Sequence, residues 1–137
     1  MKITIGGSMT FADKQVEAKQ KLEARGYEVL ITDDINDYVN SQKIKKSFAD
    51  ELSLCLKYDV MRTFFKKIES SDALLVCNYD KNGIGGYLGT SVLMEIGLAY
   101  YLGKKIYLLF EVDKTQNYAL ELALINPIIL NGELNLA

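Results

Sequence analysis

Glu95 is the residue whose surroundings most demand an explanation. Between Ser91 and Gly103 it is the only Asp, Glu, Lys or Arg, and its neighbours are Val92, Leu93, Met94, Ile96 and Leu98. A helix that is apolar nearly all round is a buried one, and a buried carboxylate costs free energy unless hydrogen bonds, a counter-charge or protonation compensate it. Two accounts stand open: a structural carboxylate that accepts backbone N–H bonds near its own helix start, or a catalytic or ligand-binding group beside the glycine-rich segment before it.

Other residues with chemical potential gather at the ends of apolar runs. Gly6-Gly7-Ser8 follows the first such run and opens a helical segment, so its backbone N–H groups can receive a phosphate or other anion. The same residues also make a plain tight turn in which Ser8 or Thr10 caps the helix. Asn78, Tyr79 and Asp80 end the run Ala73 to Cys77, offering an amide, a phenol and a carboxylate to sugar hydroxyls or a base edge, or else simple turn chemistry. Tyr87, Tyr100 and Tyr101 are suited to stacking on a planar ligand, but fit packing in the core or between subunits better. The chain has no histidine, which removes the usual general base and the commonest zinc ligand. Neither G-x-G-x-x-G nor G-x-x-x-x-G-K-[ST] occurs, so dinucleotide oxidoreductases and P-loop NTPases are unsupported.

The elements that must position these residues alternate. Lys2 to Ile5 reads as a strand, Phe11 to Arg25 as an amphipathic helix stopped by Gly26, and Tyr27 to Ile31 as a second strand ending in Thr32, Asp33 and Asp34. Asp37 to Glu69 lacks glycine and proline and repeats Ile44, Phe48, Leu52 and Leu56 every fourth position, which predicts helix with a break near Tyr58. The continuous apolar run Ala73 to Cys77 predicts a central strand buried on both faces, and it empties into the glycine-rich loop from Asn78 to Thr90. Ser91 to Leu102 reads as helix, Lys104 to Phe110 as strand, Tyr118 to Ile125 as helix and Pro127 to Leu130 as a last strand. This alternation predicts an α/β fold with a parallel sheet covered on both sides and a ligand site at the strands' carboxyl ends, near a topological switch point.

Composition bounds the alternatives. At 137 residues, one domain spanning 1–137 is expected, and 49% hydrophobic with 25% charged residues is ordinary globular usage. A net charge of −2 with dispersed lysines gives no basic face for nucleic acid. No apolar stretch reaches membrane-spanning length and the amino terminus is too weakly apolar for a signal peptide, so a cytoplasmic protein is expected. Cys55 and Cys77 make no disulfide framework, and Cys77 is expected as a buried thiol.

The order of these motifs resembles the nucleoside 2-deoxyribosyltransferase superfamily, from ITIGGSMTFA through SDALLVCNYD to LGTSVLMEIGLAYYLGKKIYLL, over nearly the whole chain. Its most specific part is the strand after Asp72, the glycine loop, then Glu95-Ile96-Gly97-Leu98-Ala99 followed by Gly103-Lys104-Lys105 and another strand. The resemblance implies a flavodoxin-like three-layer sandwich with a central parallel five-stranded sheet, working as a homodimer or larger assembly without cofactor or metal. It implies Glu95 as the nucleophile toward the anomeric carbon of a nucleoside or nucleoside 5'-monophosphate, cleaving or transferring the N-glycosidic bond as a transferase or hydrolase. In the nucleotide-hydrolysing branch a glycine-serine turn contacts the 5'-phosphate, which Gly7-Ser8 matches, with Gly6 a neighbouring candidate. Two positions depart from the superfamily pattern: Phe64 stands where an acidic residue is usual, and Gly89 where a polar group precedes the glutamate. The loop before Glu95 is longer than is typical, so Asn78, Tyr79, Asp80 or Asn82 are candidates to supply the absent groups, and Asn131 to reach a neighbouring subunit. The alternative that these departures favour is a nucleotide-binding or sensing module on the same fold, without turnover.

Overall fold

The computed structural model describes residues 1–40 and 47–136. Its elements run β1 (Lys2–Gly6), α1 (Ala12–Ala24), β2 (Glu28–Leu30), α2 (Ile35–Asn40), α3 (Phe48–Tyr58), α4 (Val60–Glu69), β3 (Ala73–Val76), α5 (Thr90–Tyr101), β4 (Lys105–Leu108), α6 (Ala119–Ile125) and β5 (Ile128–Ile129). All strand pairs are parallel, in the order β2-β1-β3-β4-β5. This is the flavodoxin-like order. β3, whose four residues Ala-Leu-Leu-Val are all buried, lies in the middle of the sheet.

The two-residue alternation along the strands divides the core into two layers. Leu74 and Val76 of β3 with Ile106 and Leu108 of β4 pack against Phe64 and Ile68 of α4, Val92, Ile96 and Ala99 of α5, and Leu122 of α6. Ile3 and Ile5 of β1, Leu75 of β3 and Tyr107 of β4 face the other way, onto Ala18 and Leu22 of α1. Cys77 is in this second layer as a free thiol, and burial pushes its pKa up to about 12.

The long helical stretch breaks where expected. Asp59, at φ 44°, separates α3 from α4. The apolar repeat that predicted the first of these helices is not buried within the chain, however: Phe48 is 82% and Leu56 71% exposed. Ile44, the first member of the repeat, lies outside the described residues. The expectation of a fully buried helix around Glu95 is also corrected, since Met94, Tyr100 and Tyr101 of α5 are exposed. Only the face carrying Val92, Ile96 and Ala99 is covered, because α5 packs on one side of a single sheet. Among the described residues, no helix is long and apolar enough to cross a membrane.

Candidate active site

The sheet order sets where a site can form. From β1 the chain crosses to β2 on one side and later returns to β3 on the other, so the connections leaving β1 and β3 diverge at their carboxyl ends and leave a crevice. A cavity of about 370 Å³ lies there, lined by Gly6, Gly7 and Ser8 at the end of β1, Thr32 and Asp34 after β2, Phe64 of α4, Gly89 at the start of α5 and Glu95 in its second turn. That volume falls in the range of small-molecule sites, roughly 300–1,000 Å³.

The turn after β1 is held by close approach. Gly7 has φ 145°, and a Cβ there would stand 3.0 Å from the Cys77 carbonyl oxygen and 3.1 Å from Gln15 Nε2. Glycine is therefore required on both counts. Gln15 Nε2 donates to the Ser8 carbonyl at 3.0 Å, fixing the turn from α1. The Ser8 hydroxyl accepts from the Thr10 N–H at 3.3 Å, so it caps the short 3-10 turn that precedes α1, as one of the two sequence accounts had it.

Glu95 reaches back across the crevice to this turn. Its Oε1 lies 3.3 Å from where a Cβ on Gly6 would be, beside the Phe64 ring at 3.5 Å from the same point. Among the described residues the carboxyl has neither a hydrogen-bond partner nor an ion pair, and no N-terminal amide of α5 binds it: the N-cap of that helix is Gly89, which has no side chain to offer. The side chain is half-buried, not sealed. Burial among Phe64, Val92 and the β1 turn pushes its pKa up to about 8 from 4.5, because the charged form loses water and nothing nearby replaces it. Phe64, the departure from the superfamily pattern, thus forms the apolar wall against which Glu95 sits.

Gly6, Gly7, Ser8, Gly89 and Glu95 come together on this one crevice. Asn78, Tyr79, Asp80 and Asn131 are not among the residues that line it, and each has a local task. The Asn78 amide is buried and spans to the next strand's end, accepting from Phe110 N at 2.9 Å and donating to Phe110 O at 2.8 Å and Gly86 O at 3.4 Å. Tyr79 packs between Phe11 and Phe110, tilted on the first and edge-on to the second, with ring centroids 5.4 Å from each. Asp80 Oδ1 accepts from Gly86 N at 3.0 Å, closing the loop on itself. Gly86, at φ 59°, has no room for a side chain: a Cβ would meet the Glu111 carbonyl oxygen at 2.0 Å. Asn131, at φ 53° and followed by Gly132 at φ 84°, makes the exposed turn after β5. Of the tyrosines, Tyr87 lines the crevice, while Tyr100 and Tyr101 point to solvent on α5.

The structure adds two polar residues that sequence reasoning passed over as site candidates. Asp34 is 2% exposed, with Oδ1 accepting from the Thr32 hydroxyl at 2.6 Å, and it faces the crevice from the end of β2. Gln15 is wholly buried behind the crevice wall, and its Oε1 has no hydrogen-bond partner among the described residues. Asp34 was visible as one of three polar residues ending the second strand. Gln15 sits in a helix of mostly charged and polar residues, where nothing in the sequence separates one buried amide from its exposed neighbours. Among the described residues no three His, Cys, Asp or Glu side chains group as a metal site would require.

No protein-family model matches this chain, and no curated protein matches it in sequence. Among solved structures it is similar to the CMP N-glycosidase BcmB of Clostridium botulinum, with 18% identity and a TM-score of 0.50, over 94% of this chain and 84% of that one. At that identity the likeness is one of fold, and it agrees with the flavodoxin-like architecture expected from the sequence.

Proposed function

We propose that this protein cleaves the N-glycosidic bond of a nucleoside or nucleoside 5'-monophosphate, with Glu95 as nucleophile. The observation that carries the reading is the Glu95 carboxyl itself: partnerless among the described residues, half-buried, and set on the wall of the switch-point crevice instead of being tied to backbone amides. A structural carboxylate in that position would be expected to have found donors. The shared fold of a CMP N-glycosidase supports the same chemistry.

In the proposed reaction the ionised carboxylate attacks the anomeric carbon as the bond to the base breaks, and the base leaves with the bonding electrons. The positive charge that develops on the sugar in an oxocarbenium-like transition state offsets the desolvated negative charge of Glu95, so the carboxylate is better stabilised there than in the empty crevice. Water, or a second base, then resolves the glycosyl ester. Asp34 supplies an acceptor for sugar hydroxyls, in place of the acidic group that Phe64 displaces. The exposed apolar residues Phe48, Leu52 and Leu56 support a second copy of the chain as partner.

The test is to incubate the protein with a panel of ribo- and deoxyribonucleosides and their monophosphates, reading free base by chromatography and a sugar adduct on Glu95 by mass spectrometry. Base release that Glu95→Ala abolishes is the expected result. Nucleotide binding without release of base from any of them would transfer the assignment to a sensing module, the reading that Phe64 favours.

A further inference from the structure

The crevice carries a charge balance that the reaction above leaves unexplained. No lysine or arginine is among the residues that line it, and the chain has no histidine. Two carboxyl groups do line it, Glu95 and Asp34, and among the described residues neither has an ion pair. Asp33 marks the contrast. It is exposed and bonds Lys67 Nζ at 2.6 Å, whereas Asp34, the next residue, is 2% exposed and bonds the Thr32 hydroxyl, which brings no charge. Behind the same wall Gln15 gives its Nε2 to the Ser8 carbonyl, and its Oε1 has no donor among the described residues. An ammonium does approach the rim: Lys81 Nζ donates to Ser8 Oγ at 3.3 Å and stands 5.1 Å from the centre of the Tyr87 ring. It is held there by a hydroxyl and a ring face, and it reaches neither crevice carboxyl within ion-pair distance.

Desolvated negative charge without a counter-charge is costly, and a ligand that brings a fixed positive charge removes that cost when it binds. The rings of Phe64 and Phe65, adjacent on α4, line the same crevice, and aromatic faces attract a flat cation. The leaving group points the same way. A neutral base departs with the bonding electrons and needs a proton to accept them. Asp34 receives a hydrogen bond from Thr32 instead of offering one, Glu95 is committed to the sugar, and Phe64 stands where the sequence pattern calls for an acid. A base whose glycosidic nitrogen already carries positive charge needs no proton, because the bonding pair returns to the ring and leaves it neutral.

The geometry points to an N-glycoside with a quaternised base, a pyridinium or N-alkylated purine riboside, as the substrate of this crevice, its flat cation against the α4 rings and its charge balanced by Glu95 and Asp34. A Glu95 carboxylate oxygen forms the bond to the anomeric carbon as the C–N bond breaks, and the base leaves as a neutral molecule. Water then hydrolyses the glycosyl ester, giving the free sugar, the carboxylate and one proton. The reaction rests on the glycosidase reading above, whereas the preference for a cation rests on the charges and rings that line the crevice.

Calorimetric titration with 1-methylnicotinamide and with 3-methylbenzamide tests that preference without turnover, since the two molecules share a shape and differ in the charge of the ring. The wild type is expected to bind the cation at least about tenfold more tightly. Asp34→Asn, which keeps an acceptor for the Thr32 hydroxyl, should lose about threefold to tenfold of the affinity for the cation and none of that for its neutral counterpart. Equal affinity of the wild type for the two, measurable or nil, overturns the proposal, and so does a preference that Asp34→Asn leaves intact. Turnover separates this class from the glycosidase reading as a whole. Release of nicotinamide from nicotinamide riboside, with uridine and adenosine inert, is the expected result. Base released from uridine or adenosine at an equal or greater kcat/KM overturns the cationic class and keeps the glycosidase; cation-selective binding with no base released from any of the three keeps the cation site and removes the glycosidase reading.

Discussion

Replacing Glu95 by Gln preserves the size and shape of the side chain and removes its titration, which makes the protein's stability a readout of the crevice. Burial raises the Glu95 pKa from 4.5 to about 8. Below the lower value the carboxyl is protonated in the folded and unfolded chains alike, and its burial costs little. Between the two values the unfolded chain releases the proton while the folded chain keeps it, so stability falls as the pH rises, and above the upper value the slope vanishes. The interval from 4.5 to about 8, at about 1.4 kcal/mol per pH unit, sets a ceiling of roughly 5 kcal/mol on the loss. Water entering the open crevice lowers this toward roughly 2 kcal/mol by solvating the ionised form. Urea denaturation of wild type and Glu95→Gln between about pH 5 and pH 9 measures it, because other titrating groups cancel in the difference between the two. The variant should gain on the wild type steadily up to about pH 8 and level off above it. A difference that stays constant with pH would mean that Glu95 is either well hydrated or paired with a donor, and the account of its environment would fall.

Two further outcomes follow from the same geometry. If Glu95 is the nucleophile, it acts ionised, and with a pKa of about 8 roughly 9% of it is ionised at pH 7 and roughly 91% at pH 9; kcat/KM should rise about tenfold between them, after the phosphate of a monophosphate substrate is already fully charged, whereas a falling profile would make Glu95 a general acid. Asn78→Ala should destabilise the fold by roughly 2 kcal/mol or more in urea, because it strips the part-buried Phe110 N–H and C=O of their partners at once and removes a buried side chain; a cost below roughly 1 kcal/mol would show that water replaces the amide.

The sheet was legible because parallel strands buried on both faces leave an unmistakable apolar run, and Ala73 to Cys77 is one: β3 occupies Ala73–Val76. The breaks were equally legible, since Gly26, Gly103 and the loss of pattern near Tyr58 coincide with the ends of α1, α5 and α3. Of the site, Glu95 and the Gly6-Gly7-Ser8 turn could be picked out from local contrast, a lone acid among apolar residues and a glycine pair after a strand. The rest depends on which strands end side by side. Asp34 joins the crevice only because β2 is the neighbour of β1, and Gln15 only because α1 turns that face inward. Asn78, Tyr79 and Asp80 also end a strand, but Asn78 and Asp80 bond Phe110 and Gly86, Tyr79 packs between Phe11 and Phe110, and none of the three lines the crevice. The exposed stripe of α3 shows that a helical period identifies an apolar face without identifying what covers it.

The loop between β3 and α5 is anchored at one end and unencumbered at the other. At Gly86 the packing against the Glu111 carbonyl leaves no space for even a methyl group, while at the Asn82-Gly83 tip a Cβ added to Gly83 meets no atom within 4 Å. Such a cantilever lets the side chains at Lys81 and Ile84 vary, while Asn82 and Gly83, both at positive φ, keep the turn and Gly86 fixes the base. Exchanging the two flanking residues is then a route to altering the mouth of the crevice with the Glu95 carboxyl left undisturbed, and libraries confined to positions 81 and 84 are where selection for new specificity in this scaffold should begin.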